Sequence, residues 1–208
     1  MTAEPVTVTH PAPATADHQR PHPAPTPAAG RRPLPGDRPY KEQVARMIRV
    51  NHAGEYGAKR IYEGQLAVLG KSDKAPLLRH MAEQEQVHLE TFEHLIAKRH
   101  VRPTVLQPVW HLAGFALGAV TALMGERAAM ACTVAVEEVI DQHYADQAER
   151  LGPQDGELKD TIERFRAEEL EHRDIGLAHE AELAPAYQLL SAAIKAGSRA
   201  AIWLSERF

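Results

Sequence analysis

The chain has 208 residues, 44% of them hydrophobic and 25% charged, with a formal net charge of −4. That is enough apolar material for one buried core, and it leaves no basic surplus to neutralise a phosphate backbone, so nucleic acid is not an expected partner. Cys132 is the only cysteine, which excludes an internal disulfide and a multi-thiolate zinc site, fits a reducing compartment, and reads as a small buried apolar residue.

Residues 1–39 are rich in Pro, Ala, Thr and His and almost devoid of large apolar side chains. Such a stretch cannot bury enough surface to offset the entropy of ordering, so a disordered N-terminal tail is expected. It has no apolar run of a secretory signal. Arg20, Arg31 and Arg32 would suit a transit peptide, but Glu4 and Asp17 argue against one. His10, His18 and His22 could take up stray metal, though a solvated tail is the simpler reading.

From Tyr40 the pattern becomes helical, and residues 40–208 read as one domain. The spacing predicts helices over Lys41–Leu69, from Ser72 or Asp73 to about Arg99, then Val105–Met124, Glu126–Leu151, Asp155–Ala181 and Ala184–Ser205. Gly70 is the expected C-terminal cap of the first, Gly152 and Pro153 stop the fourth, and Pro185 suits the first turn of the last. No segment reads as a strand, so the fold class is all-α.

The third helix stands apart: Pro103 to Gly125 carries no formal charge. It approaches the length needed to cross a bilayer, but Gln107, Pro108, His111 and several glycines make it a poor spanning helix. Lying in the membrane interface, with Trp110 at headgroup depth, accounts better for the same residues. A core or oligomer helix is the alternative.

Two Glu-x-x-His runs, Glu85 to His88 and Glu169 to His172, fall inside predicted helices. A spacing of three puts Glu and His on one face, where they can grip the same or adjacent ions. In a chain with so many Glu and His, one such run would mean little, so context decides. Glu55 precedes Glu85 by thirty residues and Glu137 precedes Glu169 by thirty-two, in each case one helix and a turn. Each half therefore reads as a helix with Glu followed by a helix with Glu-x-x-His. Packed together, the halves would unite four carboxylates and two imidazoles, the ligand set of ferritin-like four-helix bundles that hold two iron or manganese ions. Glu55 and Glu137 sit among small or apolar neighbours such as Ala58, Val134 and Val136, where unneutralised carboxylates would repel one another. Exposed salt bridges are the competing role for any single glutamate.

Three longer motifs accompany these residues: Arg49-Val50-Asn51-His52-Ala53-Gly54-Glu55-Tyr56-Gly57-Ala58, Ala131-Cys132-Thr133-Val134-Ala135-Val136-Glu137-Glu138, and Glu168-Glu169-Leu170-Glu171-His172. With Ala181-Glu182-Leu183-Ala184-Pro185-Ala186-Tyr187 and the closing Leu204-Ser205-Glu206-Arg207-Phe208, the chain from Tyr40 onward resembles the demethoxyubiquinone hydroxylases of ubiquinone biosynthesis. Asn51 stands where many relatives carry Asp. The resemblance implies metal ligands at Glu55, Glu85, His88, Glu137, Glu169 and His172, and it favours Glu137 over the adjacent Glu138. It implies a membrane-associated di-iron monooxygenase that uses O2 to hydroxylate the ring of demethoxyubiquinol, a polyprenyl quinol. It also implies NADH as an electron source, although no Gly-rich dinucleotide fingerprint is present, and it leaves room for a homo-oligomer or a partner protein of the same biosynthesis.

Tyr144, two turns beyond Glu137 on the same face, is the candidate catalytic residue, lining the substrate pocket or relaying electrons, with packing as its alternative role. Asp141 is an expected acceptor for a ligand histidine's outer N–H. The uncharged stretch, with Leu189, Leu190, Ile194, Ile202 and Trp203 of the last helix, would form the entrance for the prenyl substrate. The expected location is peripheral, on the cytoplasmic face of a bacterial membrane. Two rivals are an iron store or peroxidase, which would not require the uncharged stretch, and a non-catalytic prenyl-lipid carrier, which would not require six ligands.

Overall fold

The computed structural model describes Gly36 and residues 38–208; nearly all of the expected tail, with His10, His18, His22, Arg20, Arg31 and Arg32, lies outside the described residues. Six helices form: α1 Tyr40–Leu69, α2 Ala75–Arg99, α3 Gln107–Leu123, α4 Glu126–Arg150, α5 Gly156–Ala178 and α6 Tyr187–Ser205. Single 3-10 turns at Pro153–Asp155 and Ala181–Leu183 precede α5 and α6, and there is no strand among the described residues.

Several helix ends differ from expectation, and proline accounts for two of them. α2 starts at Ala75 with Pro76 in its first turn, while the Ser72 hydroxyl accepts the Lys74 N–H at 3.2 Å in the preceding turn. A ring without an N–H is tolerated in the first helical turn and not further in. Pro108 fixes the start of α3 at Gln107 in the same way. Gly70 keeps a right-handed backbone, φ −62°, and the left-handed cap belongs instead to His100 after α2, φ 53°. Residues 153–155 and 181–183, expected at the ends of α5 or just before α6, are the 3-10 turns, and Pro185 lies outside α6 because Ala186 turns left-handed, φ 53°.

Short connections make α1–α2 and α4–α5 two helical hairpins, and their packing forms a four-helix bundle. The two remaining helices cover one side of it, α3 lying on α1 and α6 on α4. α4 is consequently enclosed on every face: Ala128 to Glu137 is buried without a break, the pattern of a central helix.

The α3–α1 contact is backbone against backbone. A Cβ at Gly114 would stand 2.8 Å from the Gly57 carbonyl oxygen, and one at Gly118 would run into the Ile61 carbonyl oxygen. The glycines of the uncharged helix are thus its packing surface, a small-xxx-small seam. Its opposite face is open. Leu112 is 71% and Leu123 73% exposed, as are Leu189 at 72% and Trp203 at 53% on α6. Trp110, expected at the membrane interface, is half-buried and faces α1 and α6 across a cavity. No helix among the described residues is long and apolar enough to cross a membrane.

Candidate metal centre

Each helix of the bundle contributes what its place in the chain predicts: α1 gives Glu55, α4 gives Glu137, α2 gives Glu85 and His88, and α5 gives Glu169 and His172. All six are buried. They fall into two overlapping groups, Glu55, Glu85, His88 and Glu169, and Glu85, Glu137, Glu169 and His172, with the ligand atoms of each within 4.8 Å of one another. Glu85 and Glu169 belong to both. The site therefore has two shared carboxylates in the middle, with one further carboxylate and one imidazole at either side.

Both imidazoles turn Nδ1 inward. His88 Nδ1 lies 3.1 Å from Glu169 Oε1 and 3.5 Å from Glu55 Oε2, and His172 Nδ1 lies 3.1 Å from Glu169 Oε2 and 3.3 Å from Glu85 Oε1. Burial, then the charges of Glu169 and Glu55, pushes the Glu85 carboxyl well above its ordinary range, and burial with Glu169 and Glu85 does the same to Glu137. Burial alone would lower His88, but the Glu169 and Glu55 carboxylates outweigh it and push it up to about 12. At Glu169 burial is overcome by the two histidines, which hold it down to about 2.

Hydrogen bonds do not complete this cluster. Both oxygens of Glu85, Oε2 of Glu55 and Oε2 of Glu137 have no hydrogen-bond partner. Buried polar atoms are rarely left so. Cations would satisfy all of them and remove the mutual repulsion, so the donor set could hold metal ions, and hard oxygens with one imidazole to each side suit iron or manganese.

Around the cluster runs a ring of polar partners that respects the same two-fold repetition. The Tyr144 hydroxyl donates to Glu55 Oε1, and the Tyr62 hydroxyl donates to Glu137 Oε1 at 3.2 Å. Each tyrosine stands seven residues after the glutamate of its own helix and serves that of the opposite one. Burial, then nearby carboxylates, raises both phenols well above their ordinary value and keeps them donors. Outside the histidines, His88 Nε2 lies 2.6 Å from Glu168 Oε2 and His172 Nε2 lies 3.0 Å from Gln84 Oε1. Asp141 does not take the expected role, because Arg166 Nε holds it at 2.6 Å. Tyr62, Gln84 and Glu168 were missed by the sequence reading. The signal for Tyr62 was present in the repeated spacing of seven, and that for Gln84 and Glu168 in their shared place just before the glutamate of each Glu-x-x-His run. Further along, the Asn51 and Gln147 amides bond each other reciprocally, both at 2.8 Å.

A cavity of ≈ 350 Å³ lies between the bundle and the outer layer, lined by residues of α1, α3, α4 and α6. Its wall on the bundle side includes Gly54, Gly57 and Ala58, flanking Glu55, and Val136 and Ile140, flanking Glu137. Trp110 and Leu117 face them from α3, with Ala201 and Ile202 from α6. Of the α6 residues expected at an entrance, only Ile202 lines the cavity; Ile194 is buried, Leu190 half-buried, and Leu189 and Trp203 exposed. Tyr144 points into the carboxylate cluster and does not line the cavity.

Comparison with known proteins bears on this arrangement. The family model described as ubiquinone biosynthesis protein COQ7 matches residues 42–205. The 3-demethoxyubiquinol 3-hydroxylase of Rhodospirillum rubrum is 61% identical over 173 residues, covering 83% of this chain and 82% of that protein. The mitochondrial NADPH-dependent 3-demethoxyubiquinone 3-hydroxylase of Homo sapiens is 55% identical over 175 residues, 82% of this chain and 81% of that protein. The mitochondrial 5-demethoxyubiquinone hydroxylase of Saccharomyces cerevisiae is 44% identical over 179 residues, 78% of this chain and 77% of that protein.

Proposed function

The chain belongs to the family of the ubiquinone biosynthesis protein COQ7, and on that premise we propose that it is the monooxygenase that hydroxylates the ring of demethoxyubiquinol. The observation that carries this reading is a pair of overlapping four-ligand groups, with orphaned carboxylate oxygens, whose helices α1 and α4 form one wall of an apolar cavity. An iron store has no use for that cavity, and a lipid carrier has none for six buried ligands.

Glu55 and His88 would hold one iron ion and Glu137 and His172 the other, with Glu85 and Glu169 between them. Two ions bound there would supply the activation of O2, one of whose oxygen atoms enters the ring while the other leaves as water. The chain's own part is placement. Glu168 and Gln84 hold the outer nitrogens of the histidines, so that each ring keeps its Nδ1 toward the cluster. Tyr144 and Tyr62 fix one oxygen of Glu55 and one of Glu137, leaving the other oxygen of each free for an ion. Tyr144 is the proposed catalytic residue, as a relay to the cluster through Glu55. Apolar walls at Leu117, Val136 and Ile140 exclude water from the ring's side.

The exposed apolar faces of α3 and α6 would sit on a membrane surface and admit the prenyl tail to the cavity, making the enzyme peripheral, with the cytoplasmic face of a bacterial membrane as the proposed location. NADH is the proposed reductant; the human relative's name specifies NADPH-dependence. The decisive experiment counts iron in the purified protein and then supplies demethoxyubiquinol in vesicles with isotopically heavy O2. Two irons per chain and one heavy atom in the product support the reading, and full activity in Glu137→Ala would overturn the ligand assignment.

A further inference from the structure

The two half-sites match in their ligands and in the tyrosines that serve them. Glu55 is served by Tyr144 and Glu137 by Tyr62; His88 and His172 both present Nδ1 to the shared carboxylates. Their outer nitrogens, however, meet different chemistry. His88 Nε2 faces the carboxylate of Glu168 at 2.6 Å, whereas His172 Nε2 faces the neutral amide oxygen of Gln84 at 3.0 Å. Both partners occupy the same register, one residue before the glutamate of a Glu-x-x-His run, and each reaches across to the histidine of the other helix. A carboxylate thus stands in one half where an amide stands in the other.

That difference has a direction. An imidazole whose outer N–H donates to a carboxylate is a more basic ligand than one whose N–H donates to an amide, because the partly drawn proton leaves more electron density on the ring. Among the described residues Glu168 has no Lys or Arg within ion-pair distance, and His88 is its only ion-pair partner. Phe165 stacks on the His88 ring with centroids 3.9 Å apart, fixing the ring in the plane this hydrogen bond needs. His172 meets only the edge contact of Tyr62, with centroids 6.1 Å apart.

We propose that Glu168 and Gln84 make the two ions electronically inequivalent. The ion held by Glu55 and His88 is the electron-rich one, and the first electron entering the oxidised centre goes to the ion held by Glu137 and His172. Glu168 and Gln84 are thus positioning residues that act through the histidines. This rests on the di-iron reading above.

The test uses the full chain loaded with iron and poised anaerobically at an electrode through dissolved mediators, so that each step moves one electron from the electrode to one ferric ion. The readout is the largest paramagnetic resonance signal of the one-electron-reduced centre, which measures the separation of the two potentials. In Glu168→Gln both histidines face amides, and the comproportionation constant should fall about tenfold, equal to about 59 mV for a one-electron couple. Gln84→Glu should lower it likewise. The double variant Gln84→Glu/Glu168→Gln exchanges the partners rather than equalising them, so the signal should return, an outcome that accumulated structural damage cannot produce. An undiminished signal in Glu168→Gln at two irons per chain would overturn the proposal, as would a double variant no better than either single one. A wild-type chain that takes up no iron would sink the di-iron reading instead, so the two failures are distinct.

Discussion

The inner bundle and the α3–α6 layer depart from the ordinary distribution of side chains in opposite directions. α1, α2, α4 and α5 bury four carboxylates and two imidazoles at their centre, while α3 and α6 leave Leu112, Leu123, Leu189 and Trp203 in the open. Buried charge and exposed apolar surface are the two departures that carry information, since each costs free energy that packing alone would not accept. Here they lie on either side of one cavity. On the proposed function, the charged centre and the apolar face are parts of one device, the first for chemistry and the second for delivering a substrate that lives in lipid.

The largest expected effect comes from removing what both half-sites share. Glu85→Ala takes one ligand from each group, so iron should fall to nearly none per chain, and hydroxylation should drop by more than about a hundredfold. Glu55→Ala removes a ligand from one group only and should keep about one ion. Equal iron loss in the two variants, measured on purified protein, would break the division into shared and terminal carboxylates.

Next comes pH, acting on the inner bundle alone. In metal-free protein the folded-state values of Glu85, Glu137 and His88 are all raised. A raised group stabilises the fold while it is protonated in the folded state. The carboxyls' contribution is therefore lost as pH climbs above the ordinary carboxyl range, and that of His88 between 6.5 and about 12. Glu169, held down to about 2, and His143, lowered to about 4 by burial, have the opposite sign; the first is lost only in acid, and the second is fully present above 6.5. Metal-free protein should thus melt at lower temperature as pH rises from about 6.5 to about 8, and metal-loaded protein should not. Bound ions displace the same protons, so loading should release protons and tighten with pH. Melting curves of the two forms across that range check the sign.

The outer layer should respond to a different probe. Leu112 is 71% exposed on α3 and does not line the cavity. Burying a leucine in lipid is worth about 2 kcal/mol, and a charge in its place adds to the loss, so Leu112→Asp should weaken vesicle binding by about a hundredfold. Iron content and turnover of a short-tailed, soluble quinol should be unchanged. Cosedimentation with vesicles gives the first and a metal assay the second; a loss of iron would show that the two layers are not separable.

Much of this was legible in the sequence because it depends on spacing within a helix. Glu-x-x-His places two ligands on one face by helical geometry alone, and the repeated helix-and-turn interval pairs Glu55 with Glu85 and Glu137 with Glu169. Partners that meet across helices were legible only as register, in the shared place of Gln84 and Glu168, and not as contacts. Gln84 serves a histidine of α5, Glu168 one of α2, and Asp141 is taken by Arg166 of α5 rather than by a ligand histidine. Each of these depends on how helices are rotated against one another, which no local pattern fixes. The glycines of α3 were read correctly as unsuited to a membrane span, but their packing role was not visible. As breakers of a membrane span they argue from composition, whereas their role is set by the backbone of α1 on the far side of the contact.

That last point yields the smallest effect. If Gly118 exists to let α3 approach Ile61, then Gly118→Ala must push the helices apart, since the new Cβ meets a backbone carbonyl rather than a side chain that could swing away. Overpacking of this kind costs about 1–3 kcal/mol, and the better helix propensity of alanine returns up to about 1 kcal/mol. Net destabilisation of about 1 kcal/mol, and up to about 2, should appear in denaturant unfolding. Gly197→Ala on α6, where a Cβ would meet nothing within 4 Å, should be neutral or slightly stabilising by the same propensity term. The inner bundle should keep its iron in both variants, because neither glycine touches α2 or α5. If Gly118→Ala proved as harmless as Gly197→Ala, α3 would be resting on α1 loosely, and the outer layer would be a mobile cover over the cavity rather than a wall packed against it.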